Sequence, residues 1–148
     1  MNNRFKFRVW DKLAKRMIYP HNDNQQHFII DLNGCFHNLQ NGSGGEDYVI
    51  QQYTGLNDKN NNPIFEGDIV SFSYRASEHD VEEEIGKVFF SEGIFYFGKS
   101  LFASNDSNFI TESIKVIGNI FNPPCKSDAN GECLICDDII NNCQFKSK

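Results

Sequence analysis

At 148 residues and a formal net charge of −6, the chain is long enough for one ordinary core and a small appendage. Aromatic residues make up 14% of it, with 14 Phe, and long Leu/Ala-rich runs are missing, so the composition favours pleated, half-buried strands over helices. No apolar run approaches the roughly 20 residues of a membrane span. Strand-like alternation also stands where a signal peptide would place its apolar stretch, so the expected setting is the cytoplasm, with no membrane partner.

The charge is unevenly spread. Arg4, Lys6, Arg8, Lys12, Lys15 and Arg16 against Asp11 make the first 16 residues +5, leaving −11 for the remainder. An acidic chain repels phosphate, which argues against strong non-specific nucleic-acid binding by the molecule as a whole. The basic start keeps that option open locally.

In chain order, FKFRVWDKLAKRMIY (5–19) predicts a hairpin, with Phe5, Phe7 and Val9 alternating with Lys6, Arg8 and Trp10. FIIDLNGCFHNLQ (28–40) holds Asn33-Gly34 between two short strand patterns, a strong local hairpin signal. NGSGGED (41–47) is a loop. DYVIQQYTGL leads into the turn formers Thr54-Gly55, Asn57-Asp58 and Asn60-Asn61-Asn62-Pro63. GDIVSFSY is a strand with Val70, Phe72 and Tyr74 on one face, EEEIGKVFFSEGIFYFGK is a hairpin around Ser91–Gly93, and SIKVIGNIF (113–121) is a last strand ending at Pro123-Pro124. Seven to nine short strands and almost no helix predict a mainly β fold, a small barrel or packed antiparallel sheets. The double proline divides a β domain over 1–124 from a Cys-rich tail over 125–148, with room for a short helix or a small metal module.

Four groups of residues are candidates for chemistry or binding. Asp58, Lys59, Glu66 and Asp68 fall close together and invite a metal-dependent hydrolase reading, with the carboxylates converging on a metal or acting as acid and base. Short polar residues beside glycines are equally the letters of turns, and no nucleophile or phosphate-cradling loop accompanies them, so these acids are expected to position backbone. In the tail, Cys125-x7-Cys133-x2-Cys136-x6-Cys143 supplies four thiols for a tetrahedral zinc. The same spacing places Cys133, Cys136, Ile140 and Cys143 on one helix face, where they would pack as reduced thiols. A redox Cys-x-x-Cys needs a stabilised thiolate, which Glu132, Asp137 and Asp138 oppose.

Lys6, Arg8 and Trp10, joined by Lys15 and Arg16, form a candidate face for single-stranded nucleic acid, in which cations neutralise phosphates and the indole stacks on a base. The alternative is a Trp covered by Lys and Arg stems. Glu78, Asp80, Glu82, Glu83 and Glu84 form the densest acidic run, either a solvated loop tip or an array that steers a basic partner. His21, His27, His37 and His79 are scattered without ligand spacing.

The blocks FRVWD (7–11) with MIY (17–19), QYTGLNDKN (52–60) with IFEGDIV (64–70), GKVFFSEGIF (86–95) and IKVIGNIFNPP (114–124) resemble those of the YopX-like proteins of phages and prophages, in order and spacing. The resemblance implies a predominantly β fold and a gene carried by a mobile element. It brings no catalytic residue or cofactor to these positions. The Cys-rich tail departs from it, since such proteins commonly end soon after the IGNI-type strand. The resulting expectation is a non-enzymatic accessory protein that binds a host or phage protein, a host defence nuclease being favoured. Nucleic-acid binding is the alternative, no cofactor beyond an optional structural zinc is needed, and exposed strand edges leave room for a homo-oligomer.

Overall fold

The structure, a computed structural model, describes residues 5–20, 27–98, 100–101 and 109–124. Its residues group into two compact units, one up to Gly55 and one from Leu56 on. Both are mainly β, as the alternation predicts.

In the first unit, β1 (Phe7–Asp11) pairs antiparallel with β2 (Arg16–Ile18), the hairpin expected from FRVWD and MIY. A second hairpin joins β3 (Phe28–Ile30) to β4 (Phe36–Asn38). The long β5 (Tyr48–Asn57) lies on the other side of β1, with Val9 opposite both Ile18 and Ile50. Directly opposed residues share a face, so Val9, Ile18 and Ile50 point together and build a core with Phe36, Phe28 and Tyr48. Val9 and Phe36 are essentially inaccessible.

Thr54-Gly55 is not the turn that its letters suggest. β5 runs straight through it, and Gly55 takes a φ of 92° within the strand, at the division between the units. Local turn chemistry loses here to the ladder hydrogen bonds on either side.

In the second unit, β5 ends in a hairpin to β6 (Pro63–Phe65), whose proline stands at the strand start, where its missing N–H is tolerated. β7 (Asp68–Arg75), β8 (Val81–Ser91), β9 (Ile94–Phe97), β10 (Ser100–Leu101) and β11 (Phe109–Asn119) form a five-stranded antiparallel sheet in the order β10-β9-β8-β7-β11. Val70 and Phe72 of β7, Val88 of β8, Phe97 of β9, Ile114 of β11 and Ile64 of β6 make its core, with Tyr74 beside them. The β8–β9 turn is Glu92-Gly93, both at positive φ, the two-residue type that matches strand twist. The described strands number eleven rather than seven to nine, because pieces as short as β6 and β10 leave no alternation to detect. β11 stops at Asn119 before the prolines, since the Asn119 side chain accepts N–H bonds from Phe121 and Asn122 and turns the chain.

Candidate functional site

The stretch from Asp58 to Asp68 is built by its carboxylates. Asp58 is buried, and its Oδ1 accepts the backbone N–H groups of Asn60 at 2.9 Å and Asn62 at 2.8 Å. Asn61, at φ 65°, closes the turn back onto the Asp58 carbonyl. Oδ2 reaches across to β11 and accepts the N–H of Val116 at 3.2 Å, while Lys59 N donates to Ile114 O. The turn thus occupies backbone groups on the outer edge of β11, which would otherwise invite another strand.

Burial works to raise the pKa of Asp58, but the donors Asn62, Val116 and Asn60 outweigh it and hold the carboxyl below its ordinary 3.8. A carboxylate stabilised in its charged form is a poor proton acceptor at neutral pH. Asp68, also buried, accepts the N–H of Phe65 at 2.9 Å and so shapes the turn into β7 around Gly67. Glu66 is half-buried between them. Among the described residues, no group of three or more His, Cys, Asp or Glu is placed to hold a metal ion.

Beside the Asp58 turn lies an open cleft of about 410 Å³, lined by Leu56, Ile114 and the exposed Asn57, Lys59, Thr111 and Glu112. Thr111 and Glu112 stand where β11 bulges away from β7 between Ile110 and Lys115. Ser113 holds the bulge open, accepting Ser73 N–H at 2.7 Å and donating to Ile110 O at 2.6 Å. The cleft offers mixed polar and apolar contacts.

The basic hairpin is placed differently from the face that its sequence suggests. Lys6, Arg8 and Trp10 do share one side of β1, opposite Tyr53, Gln51 and Val49. Arg8 is 4% exposed and donates from Nε to the buried Gln51 at 2.7 Å, and Lys6 lies 5.5 Å over the Tyr53 ring. Burial raises the pKa of Tyr53. Arg16, opposite Asp11, belongs to the other side of the hairpin, and Lys15 sits in its turn at φ 50°. The five residues therefore do not form one exposed surface.

The acidic run is also divided by the pleat. Glu82 and Glu84 lie opposite Tyr74 and Phe72, on the side of the core, while Glu83 lies opposite Ser73 on the reverse face. Glu82 accepts a 2.6 Å bond from the Tyr74 hydroxyl, which raises the pKa of that phenol. Glu78 and Asp80 belong to the hairpin tip, where Asp80 accepts from Ser77 Oγ at 2.9 Å. Glu78, Asp80, Glu82 and Glu83 are exposed and Glu84 is half-buried, so the hairpin presents acids from its tip and from both faces.

His37 lies 3.0 Å from Asp31, a partner that the scattered histidines did not advertise. Cys35 is an exposed thiol in the β3–β4 turn. His21 and the tail cysteines Cys125, Cys133, Cys136 and Cys143 lie outside the described residues. Sequence reasoning also missed the ring pair of Phe89 and Tyr96, stacked at 5.0 Å on β8 and β9. Its signal was the Glu92-Gly93 turn, since a two-residue loop sets Ser91 opposite Ile94 and therefore Phe89 opposite Tyr96.

The geometry defines a small β protein whose buried carboxylates hold turns and whose surface carries its distinctive charge. The chain belongs to the YopX family: the family model described as YopX protein matches residues 6–126. Among solved structures it is similar to the crystal structure of protein EF1440 from Enterococcus faecalis. The two share 28% identity with a TM-score of 0.50, over 78% of this chain and 92% of that one. A comparison with curated proteins gives no match. Among the described residues, no helix is long and apolar enough to cross a membrane.

Proposed function

We propose that this chain is a non-enzymatic accessory protein of a phage or prophage that acts in the host cytoplasm by binding a host protein. The observation that carries the reading is the β7–β8 hairpin, where Glu78, Asp80, Glu82 and Glu83 stand exposed. Spaced carboxylates on a projecting hairpin complement the basic groove with which a nuclease holds nucleic acid, and the opposite fields speed encounter. An RNA-guided defence nuclease is the favoured partner. Catalysis has no place in this reading, because Asp58 and Asp68 serve backbone donors.

The test is a titration of an RNA-guided nuclease with the purified protein, reading DNA cleavage. Inhibition that saturates at a fixed ratio, weakens with salt and is lost in the triple variant Glu78→Gln, Asp80→Asn, Glu83→Gln supports the proposal. Unaltered cleavage across a panel of host nucleases, or inhibition indifferent to the triple variant, overturns it. No cofactor is required for this role. Native mass spectrometry under reducing conditions, with and without the residues beyond Pro124, tests zinc separately: one ion per chain, lost on truncation, would make the tail a metal module.

A further inference from the structure

The five-stranded sheet has two faces of different chemistry. One carries the core residues Val70, Phe72 and Val88 together with Glu82 and Glu84. The reverse face is fixed by register. Arg75 lies opposite Val81, Ser73 opposite Glu83, Ser71 opposite both Ile85 and Lys115, and Ile69 opposite Lys87, with Phe89 opposite Tyr96 one step further along β8. Arg75, Lys87 and Lys115 therefore share this face with a single acid of the sheet register, Glu83, in a chain whose net charge is −6. None of the three cations has an acidic partner among the described residues.

The aromatic pair sits at one end of this stripe. Phe89 and Tyr96 are stacked with 9° between their planes, both half-buried, and Lys87 Nζ lies 5.9 Å from the Phe89 ring. From Phe89 to Val81, beside Arg75, is eight residues of strand, about 27 Å at 3.4 Å per residue. Several nucleotides fit that length. On the β11 side, the turn after Asn119 folds back so that Pro124 packs against Gly118, whose Cβ, if it had one, would lie 2.6 Å from the proline ring. That contact accompanies the complete burial of Ile69, opposite Gly118, and leaves Lys115 exposed one step along.

We propose that this reverse face is a binding site for single-stranded nucleic acid, with Tyr96 and Phe89 as the stacking platform for a base and Lys87, Lys115 and Arg75 as phosphate contacts. Unpaired bases offer ring faces to aromatic side chains, whereas a duplex hides them, so stacked aromatics beside cations select single strands. The two halves of the chemistry rest on separate observations, the ring stack and the sorting of charge between faces. The site is distinct from the basic first hairpin, whose Arg8 is buried, and does not rest on the protein-binding role proposed for the acidic hairpin.

The test is fluorescence anisotropy of a labelled twelve-residue oligothymidylate, with the full chain at about 50 mM salt. Saturable binding is expected, with log affinity falling by roughly 0.7 per log unit of salt for each phosphate contacted. Lys87→Gln with Lys115→Gln should weaken binding about tenfold and shallow the salt dependence, and Tyr96→Ala should weaken it about tenfold at unchanged salt slope. Should Tyr96→Ala fail to fold by circular dichroism, Tyr96→Leu keeps the bulk and removes the ring. No binding by the native chain overturns the proposal, and so does tighter binding of the matching duplex. Binding abolished by Lys15→Gln with Arg16→Gln but retained without Lys87 and Lys115 also overturns it, by placing the site on the first hairpin.

Discussion

DLNGC (31–35) and DKNNN (58–62) share only their first and third letters and build the same turn. In each, the leading Asp uses Oδ1 to accept the N–H groups two and four residues on, at 2.9 and 2.9 Å for Asp31 and at 2.9 and 2.8 Å for Asp58. Each closes with a residue at positive φ, Gly34 at 78° in one and Asn61 at 65° in the other. This is the three-residue hairpin loop that ends in a left-handed position. The difference lies in the second oxygen. Asp31 Oδ2 meets its near neighbour His37 at 3.0 Å, whereas Asp58 Oδ2 bonds Val116, 58 residues away. One turn closes a hairpin; the other also ties that hairpin to the edge of a second sheet strand. Turn geometry is thus a local property, and its importance to the fold is not.

The largest break in this comparison should come from Asp58→Ala. Three backbone N–H groups, those of Asn60, Asn62 and Val116, lose a charged acceptor, a loss of roughly 2–3 kcal/mol because exposed parts of the turn regain water. Thermal unfolding should show a drop of several degrees for Asp58→Ala and a clearly smaller one for Asp31→Ala. Equal drops would mean that the tie to β11 contributes nothing.

Acid should separate the turns next. Donors from Cys35 and His37 hold the Asp31 carboxyl below its ordinary 3.8, and donors from Asn62, Val116 and Asn60 do the same for Asp58 against the opposing effect of burial. Since the folded values lie below the unfolded ones, this stabilisation is fully present above about pH 4 and is lost as pH falls through the folded values. Denaturant midpoints measured from pH 6 down to pH 2 should therefore fall, and Asp58→Asn should flatten that fall more than Asp31→Asn. A profile unchanged in Asp58→Asn would remove Asp58 from the acid response.

The closing position should give a smaller effect. Gly34→Ala forces an L side chain into the left-handed region, about 1 kcal/mol, although nothing lies within 4 Å to clash with the new Cβ. Gly34→Asn copies the other turn and should lose less than Gly34→Ala. The reciprocal Asn61→Gly should change stability by under about 0.5 kcal/mol, since eased strain is offset by added freedom in the unfolded chain. Should Gly34→Asn cost as much as Gly34→Ala in chemical denaturation, the two turns are not interchangeable.

The limits of legibility follow the same division. Strand alternation, the Asn33-Gly34 hairpin and the Val70–Phe72–Tyr74 face could be read from the letters because period and turn chemistry act within a few residues. The candidate surfaces were legible only in part. Lys6, Arg8 and Trp10 do share a side of β1, but whether that side meets water depends on neighbours that the strand does not encode. The acidic run from Glu78 to Glu84 looked like one array, and the pleat divides it.

By itself, then, the sequence determined a mainly β chain, the places where it turns and which acids begin those turns, since each follows from the conformational preferences of adjacent residues. Tertiary structure alone decided that Asp58 holds β11, that Arg8 is buried and that Lys87, Lys115 and a stacked Phe89–Tyr96 pair share one sheet face. Those outcomes depend on register and on contacts between segments tens of residues apart, where free energy is set by packing and desolvation that no short stretch contains.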